Sequence, residues 1–571
     1  MKTKIYTLAI AASFSLAACE DDFLSETNRN AITTDVLCST PEGYESLVNA
    51  CYAYLKVWYG NADGCAFTEM GTDCYTGGGS SAGNVAAMAY YTNALNGSYP
   101  LMEYMWNNLY SAVNCCNAAI DRVDRPGLSE AKKKQFLGEV YFLRALYMHN
   151  ITEVWGEVPL LTNEVQTPLT TAQKSTQEEI YRQIFADLDL AYQLLEGTVK
   201  KDNGRITQYA VKALQARLKL YRGNNAEAAK LAESFIGDSD LSFYDHFWET
   251  FCMANSNGQN NKEAIWWVNY CDNKDLMPAF EHYGMNSPSM GERYGSQQFL
   301  FSCMSYWCVS GSGVWVAPET HAPWVQCMPT LAFLQTFDEK NDSRYGDTFL
   351  DTWIVNSTKD NYSEDYGNTY AGHPLQLGDT AFILSKYDFT AKERAAHPYQ
   401  IYGVYDMYDT LTHQPIGTRD YFIGTDKFAD STRATGWEYE SSRDFVVFRL
   451  AEMYLIAAEA EMKLGNTDKA LTYINTLRRQ RAIKGHESEM EISAKELNID
   501  FILDERGREL AMEQHRFFDL KRTGKFVERI KAANPDVPAH FDAHFAVRPI
   551  PQQELDAITN KAEFLQNEGY E

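Results

Sequence analysis

Two short stretches, separated by more than two hundred residues, constrain this chain most. They are "RGNNAEAAKLAESF" (222–235) and "LGNTDKALTYINTL" (464–477), and both read Gly-Asn-x-x-x-Ala. Each follows a segment of helical period. "GRITQYAVKALQARLKLYRG" has Thr207 placed as an N-cap and ends at Gly223; "RLAEMYLIAAEAEMKLG" spaces Leu450, Met453, Tyr454, Ala457 and Leu464 helically and ends at Gly465. A glycine that ends one helix, with Ala228 or Ala470 one turn into the next, predicts two helical hairpins with closely approaching axes.

The hairpins resemble the tetratricopeptide helix–turn–helix unit. Further helical period precedes them in "SAVNCCNAAIDRV" and in "KKKQFLGEVYFLRALYMH", where Phe136, Val140, Leu143 and Tyr147 share a face. The expected fold is mainly α. A helical scaffold covers about 41–236 and 445–530, an irregular region about 237–444 interrupts it, and a tail runs over 531–571. Gly, Pro, Asn, Trp and Tyr crowd the middle, where "EAIWWVNY" (263–270) reads as a short strand.

The N-terminus reads as an export signal. Lys2 and Lys4 precede an apolar run over 5–16 that is too short to span a bilayer, and "Leu16-Ala17-Ala18-Cys19" follows. This resembles the bacterial lipobox, which implies cleavage after residue 18, lipidation of Cys19 and a linker over 19–40. The lipid would anchor an otherwise soluble chain. Acids directly after the cysteine, in "Cys-Glu-Asp-Asp-Phe-Leu", resemble a surface-export address.

Charge excludes some partners. A formal net charge of −26 repels nucleic-acid backbones and acidic headgroups, so no nucleic acid is expected as a partner. The 12 cysteines contain no C-x-x-C, and the histidines have no metal-ligand spacing, so neither metal nor cofactor is expected. Cys115 and Cys116 read as small packing residues within a helix. "GSSAG" (79–83) satisfies G-x-S-x-G, but no strand leads into Ser81 and a nucleophile elbow is not expected. No catalytic residue is assigned.

"DERGRELAMEQHRFFDLKRTG" (504–524) places Asp504–Arg508, Glu513–Arg516 and Asp519–Arg522 at i+3 or i+4, which predicts ion pairs along one helix that orders the scaffold. The aromatic-rich windows suit a different task. The chain holds 36 Tyr and 11 Trp, many in Gly- and Asn-rich segments over 60–100 and 283–330. An aromatic ring covers the C–H face of a pyranose while Asp or Asn bonds its hydroxyl edge. The candidate ligand-binding residues are therefore Asp73, Tyr75, Tyr91, Asn96, Tyr294, Trp307, Trp315 and Trp324.

Taken with the lipobox, the motifs "GEVYFLRALYMHNITEVWGEVPL" (138–160), "RLAEMYLIAAEAEMKLGN" (449–466), "ILDERGRELAMEQHRFFDLKRTGK" (502–525) and "VRPIPQQELDAITNKAEFLQNEGY" (547–570) resemble the SusD/RagB family of surface lipoproteins. Arg144, Gly156, Glu505, Arg506, Glu509, Arg516, Asp519, Pro549 and Asn567 match scaffold positions of that family. Gln514-His515 and "DAITNKAEF" depart from its usual pattern. The resemblance implies a tetratricopeptide-like α-superhelix carrying a loop-rich binding region. It also implies a non-enzymatic role as the lid of a SusC-like TonB-dependent transporter in the outer membrane, capturing oligosaccharide outside the cell. Peptide capture, as in RagB-like proteins, and glycan cleavage are the alternatives.

Overall fold

The computed structural model describes residues 34–79, 85–273, 295–357, 369–370 and 373–571. The architecture is mainly helical. The principal helices are α1 (Pro41–Ala53), α2 (Pro100–Asp121), α3 (Glu130–Trp155), α4 (Gln177–Leu194), α5 (Gln208–Tyr221), α6 (Asn225–Glu233), α7 (Leu450–Lys463), α8 (Thr467–Gln480), α9 (Ile499–Glu509) and α10 (Arg516–Arg522). Local chemistry sets their ends. Ser129 caps α3, which stops at Gly156 with φ 75°. Thr176 and Glu179 form a capping box on α4, and the Thr207 side chain accepts the Ala210 amide at the start of α5.

The Gly-Asn repeat proves to be a pair of matching helix stops. After α5, Gly223 (φ 75°) donates to the Leu220 carbonyl and Asn224 to that of Lys219. After α7, Gly465 (φ 81°) donates to Met462 and Asn466 to Glu461. This is one Schellman geometry used twice, and it requires the left-handed conformation that glycine adopts cheaply. Ala228 and Ala470 are fully buried where the paired helices meet. Along the chain α2 packs on α3, α3 on α4, α4 on α5 and α5 on α6. The next partner of α6 is α7, so the superhelix continues in space across the interruption in sequence.

Four short strands locate the interruption: β1 (Tyr75–Gly77), β2 (Ala264–Val268), β3 (Cys327–Pro329) and β4 (Phe445–Arg449). β2, the strand expected in "EAIWWVNY", pairs antiparallel with β4, which runs straight into α7. The intervening region thus leaves the scaffold and returns to it at one place. β3 pairs antiparallel with β1, Tyr75 opposite Pro329.

Buried ions fasten the region to the scaffold. Glu509 of α9 accepts Arg449 at 2.7 Å, Arg481 at 3.0 Å and Arg344 at 3.0 Å. Arg449 also meets Glu513 at 2.7 Å, Arg481 meets Glu263 at 2.9 Å, and Lys427 meets Glu513 at 2.5 Å. All of these side chains are buried. Burial alone would raise the Glu509 pKa, but Arg481, Arg449 and Arg344 hold it far below the usual carboxylate range.

The expectation of one continuous helix over 504–524 is corrected. α9 stops at Glu509, Met512 (φ 59°) and Gln514 (φ 65°) turn left-handed, and α10 starts at Arg516. Asp519–Arg522 forms as expected, at 2.8 Å. The other two pairs do not. Asp504 binds Arg529, Arg508 binds Glu505 at 2.7 Å, Glu513 turns to Arg449, and Arg516 takes Asp73. The break aims these charges at other elements rather than along one helix face.

Candidate functional site

Three segments of the irregular region bring aromatic rings to one surface. Trp437, with 51% of its area exposed, lies 5.7 Å from half-buried Trp307, and the two rings are inclined at 44°. Tyr306, buried behind Trp307, donates from its hydroxyl to the His321 carbonyl at 2.6 Å. From a third segment, Tyr421 stacks on Tyr402 at 5.0 Å and donates to the Cys308 carbonyl at 2.7 Å, next to Trp307. Tyr402 in turn donates to Gln400 at 2.8 Å.

The supports are specific. Arg433, buried over the ring of Phe299, donates to the carbonyls of Asp430, Glu438 and Pro318, which ties the Trp437 loop to the 315–322 turn. The Ala322 amide donates to the Gly436 carbonyl at 2.8 Å. A Cβ at Gly436 would stand 2.5 Å from the Ala317 carbonyl oxygen, so only glycine permits this approach. The half-buried ring of Trp315 sits on a pinned backbone: its amide donates to Asn356 at 2.7 Å, and its carbonyl accepts from Thr320 at 2.7 Å. Such fixed, half-covered rings present apolar faces at little entropic cost on binding.

The residues expected from sequence divide sharply. Trp307 belongs to this surface, and Trp315 lies on the 315–322 turn that supports it. Trp324 does not: it is 7% exposed and packs edge-on against Tyr439 at 5.7 Å. Asp73 is buried in a fork with Arg516 (2.6 Å) and Arg529 (2.9 Å); burial would raise its pKa, yet the two guanidinium groups hold it at about 2. Tyr75 and Tyr91 are fully buried. The Tyr75 hydroxyl lies 3.2 Å from that of Thr425, and Tyr91 donates to the Gly71 carbonyl at 2.8 Å while packing on Phe541 and Phe545. Asp73, Tyr75, Tyr91 and Trp324 are therefore corrected to core residues. Asn96 is exposed, but it accepts the Ser98 amide and donates to the Asn93 carbonyl, closing a turn. Tyr294 and Ser81 lie outside the described residues.

The reason lies in the glycines. Those of the 60–79 window read as marks of an exposed loop, yet they mark close packing. A Cβ would stand 1.9 Å from the Trp58 carbonyl oxygen at Gly64, 2.5 Å from that of Met88 at Gly71 and 2.4 Å from that of Val325 at Gly78. Trp437, which reasoning from sequence missed, sits in the short polar stretch "TGWEYE", outside the two aromatic-rich windows over 60–100 and 283–330.

A separate hollow of about 1280 Å³ opens on the helical scaffold between α2, the 159–175 segment and the tail. Several of its polar groups already hold that segment in place: Asn114 bonds both backbone groups of Val165, and Tyr110 donates to the Pro159 carbonyl. No helix among the described residues is long and apolar enough to cross a membrane.

Comparison with known proteins matches residues 262–570 to the SusD family model and residues 22–220 to a family described as "Starch-binding associating with outer membrane". SusD-like protein P25 of Formosa agariphila is 24% identical, over 97% of this chain and 97% of its own. A SusD-like protein of Bacteroides ovatus is 23% identical, over 91% of this chain and 82% of its own. Among solved structures, a laminarin-binding SusD-like protein superposes with a TM-score of 0.62 at 21% identity, covering 93% of this chain and 100% of that one. Surface glycan-binding protein A from Bacteroides thetaiotaomicron, in complex with laminarihexaose, gives 0.64 at 20% identity, covering 92% of this chain and 99% of that one.

Proposed function

Since the chain belongs to the SusD family, we propose that it is a cell-surface lipoprotein that captures oligosaccharide without cleaving it and serves as the lid of a SusC-like TonB-dependent transporter. Cys19 is the lipidated residue, and the outer membrane holds the chain through that lipid. The observation that carries the reading is the inclined Trp307–Trp437 pair, half open to solvent and braced by Arg433. Two rings at an angle meet successive sugars of a chain that turns, one C–H face each. Trp315 is the further contact proposed from the same turn. Laminarin and laminarihexaose, the ligands of two similar solved structures, are the first to test.

The test is affinity gel electrophoresis of the mature chain in a panel of polysaccharides, with product analysis in the same tubes. Retardation by one glycan, lost in Trp437→Ala at unchanged melting temperature and without new reducing ends, is the expected result. Reducing ends would make the chain an enzyme. Retardation unaffected by Trp437→Ala would move the binding surface elsewhere. Binding only to peptides would favour the RagB-like alternative.

A further inference from the structure

We propose that Cys51 and Cys115 form a redox pair that closes to a disulfide when the protein meets an external disulfide oxidant. The two residues come from helices packed on each other, α1 and α2. Their sulfurs are in hydrogen-bond contact at 3.3 Å. A disulfide needs about 2.0 Å between sulfurs, a closure of about 1.3 Å that small side-chain rotations supply. Cys51 also faces the buried Cys116 thiol, but Cys115 is the neighbour with access to solvent, and the described cysteines are all free.

The two thiols differ in a way that suits exchange. Cys51 is fully buried, and burial pushes its thiol well above the ordinary value. Cys115 is half-buried, lines the 1280 Å³ hollow and has its thiol lowered by the hydrogen bond from Cys51. Thiolate character and access together decide which sulfur attacks. The hollow gives a small disulfide room beside Cys115, whereas Cys116, one residue on, is completely covered.

The chemistry balances as ordinary exchange. The Cys115 thiolate attacks a low-molecular-weight disulfide RS–SR; the Cys115–SR bond forms, the S–S bond breaks and RS⁻ leaves. The Cys51 sulfur then attacks the Cys115 sulfur, its proton passes to the departing thiolate, and a second RSH leaves. Two protein thiols are oxidised and one RS–SR is reduced to two thiols. The bond would staple α1 to α2 across the segment 52–114, which holds β1 and the buried Asp73 fork.

Oxidised glutathione is the probe. The mature chain is incubated with it natively, free thiols are alkylated, and peptides are mapped by mass spectrometry. The expected product is a single linked peptide pair, Cys51 with Cys115, that reverts under dithiothreitol. The oxidised protein should also melt several degrees higher, as a cross-link closing a long loop restrains the unfolded chain. Cys51→Ser should stop at a glutathione adduct on Cys115, and Cys115→Ser should give neither adduct nor link. Exposed Cys308 serves as the internal comparison, gaining an adduct and no partner. Cys51 and Cys115 both remaining alkylatable in wild type while Cys308 reacts, or a link to Cys116 instead, would overturn the proposal. The wild-type map decides even if a variant fails to fold.

Discussion

Glu509→Gln isolates what the buried ion network contributes. The substitution keeps shape and hydrogen-bonding capacity but removes the one charge shared by Arg344, Arg449 and Arg481. Each arginine retains another partner: Asp342 for Arg344, Glu513 for Arg449 and Glu263 for Arg481. The loss is therefore that of one partner in a buried set, about 3–5 kcal/mol. With an unfolding entropy of about 2.1 cal/mol/K per residue over roughly 500 residues, 1 K corresponds to about 1 kcal/mol, so the melting temperature should fall by about 3–5 °C. The assay is differential scanning calorimetry at pH 7. Glu491→Gln is the control, since its 2.6 Å pair with Arg479 is more than 40% exposed on both sides. Screening by water limits that pair to a shift of under ~1 °C. If Glu509→Gln melts with wild type, or if the two variants shift equally, the network is not what joins the irregular region to the scaffold.

Three further predictions concern other side chains. Cys19→Ala should move the protein from the membrane fraction to the soluble fraction, read by fractionation and immunoblotting. Trp324→Ala should lower stability by about 3–5 kcal/mol through the cavity it leaves, seen as a fall in melting temperature, and so contrasts with Trp437→Ala, which should weaken only binding. Acid should also act with opposite signs at two sites. Asp73 and Glu459, held at about 2, bind fewer protons folded than unfolded, so their contribution is complete above about pH 4.5 and is lost as pH falls through about 2. Glu69, pushed by burial up to about 8, binds more protons folded than unfolded, so stability falls as pH rises from about 4.5 to 8. Melting curves at pH 5 and pH 8.5 should show Glu69→Gln gaining on wild type only at the higher pH.

Local grammar made much of this fold legible. Thr207, Gly223 and Gly465 act within four residues of themselves, and the "EAIWWVNY" strand is marked by its own short apolar run, buried along its length. What could not be read is long-range. Arg516 answers Asp73 across 443 positions, and no spacing rule relates them. The same holds for the proposed binding surface. Trp307 was identified because aromatics crowd its window, whereas Trp437 acquires its meaning only when Arg433 folds one loop against another. Glycine misled for a definite reason: the missing Cβ permits both an exposed turn and the tightest packing, and local sequence does not distinguish the two.

The packing of α6 on α7 has a consequence for how the molecule is made. When the first six helices have been made, the face of α6 has no cover, because its partner begins only at Leu450. The last hairpin therefore completes a layer begun long before, after the intervening region has been made. Completion of the fold is tied to arrival of the residues from Leu450 onward, and a chain cut short anywhere in the interruption is left with an open helical edge instead of a finished half.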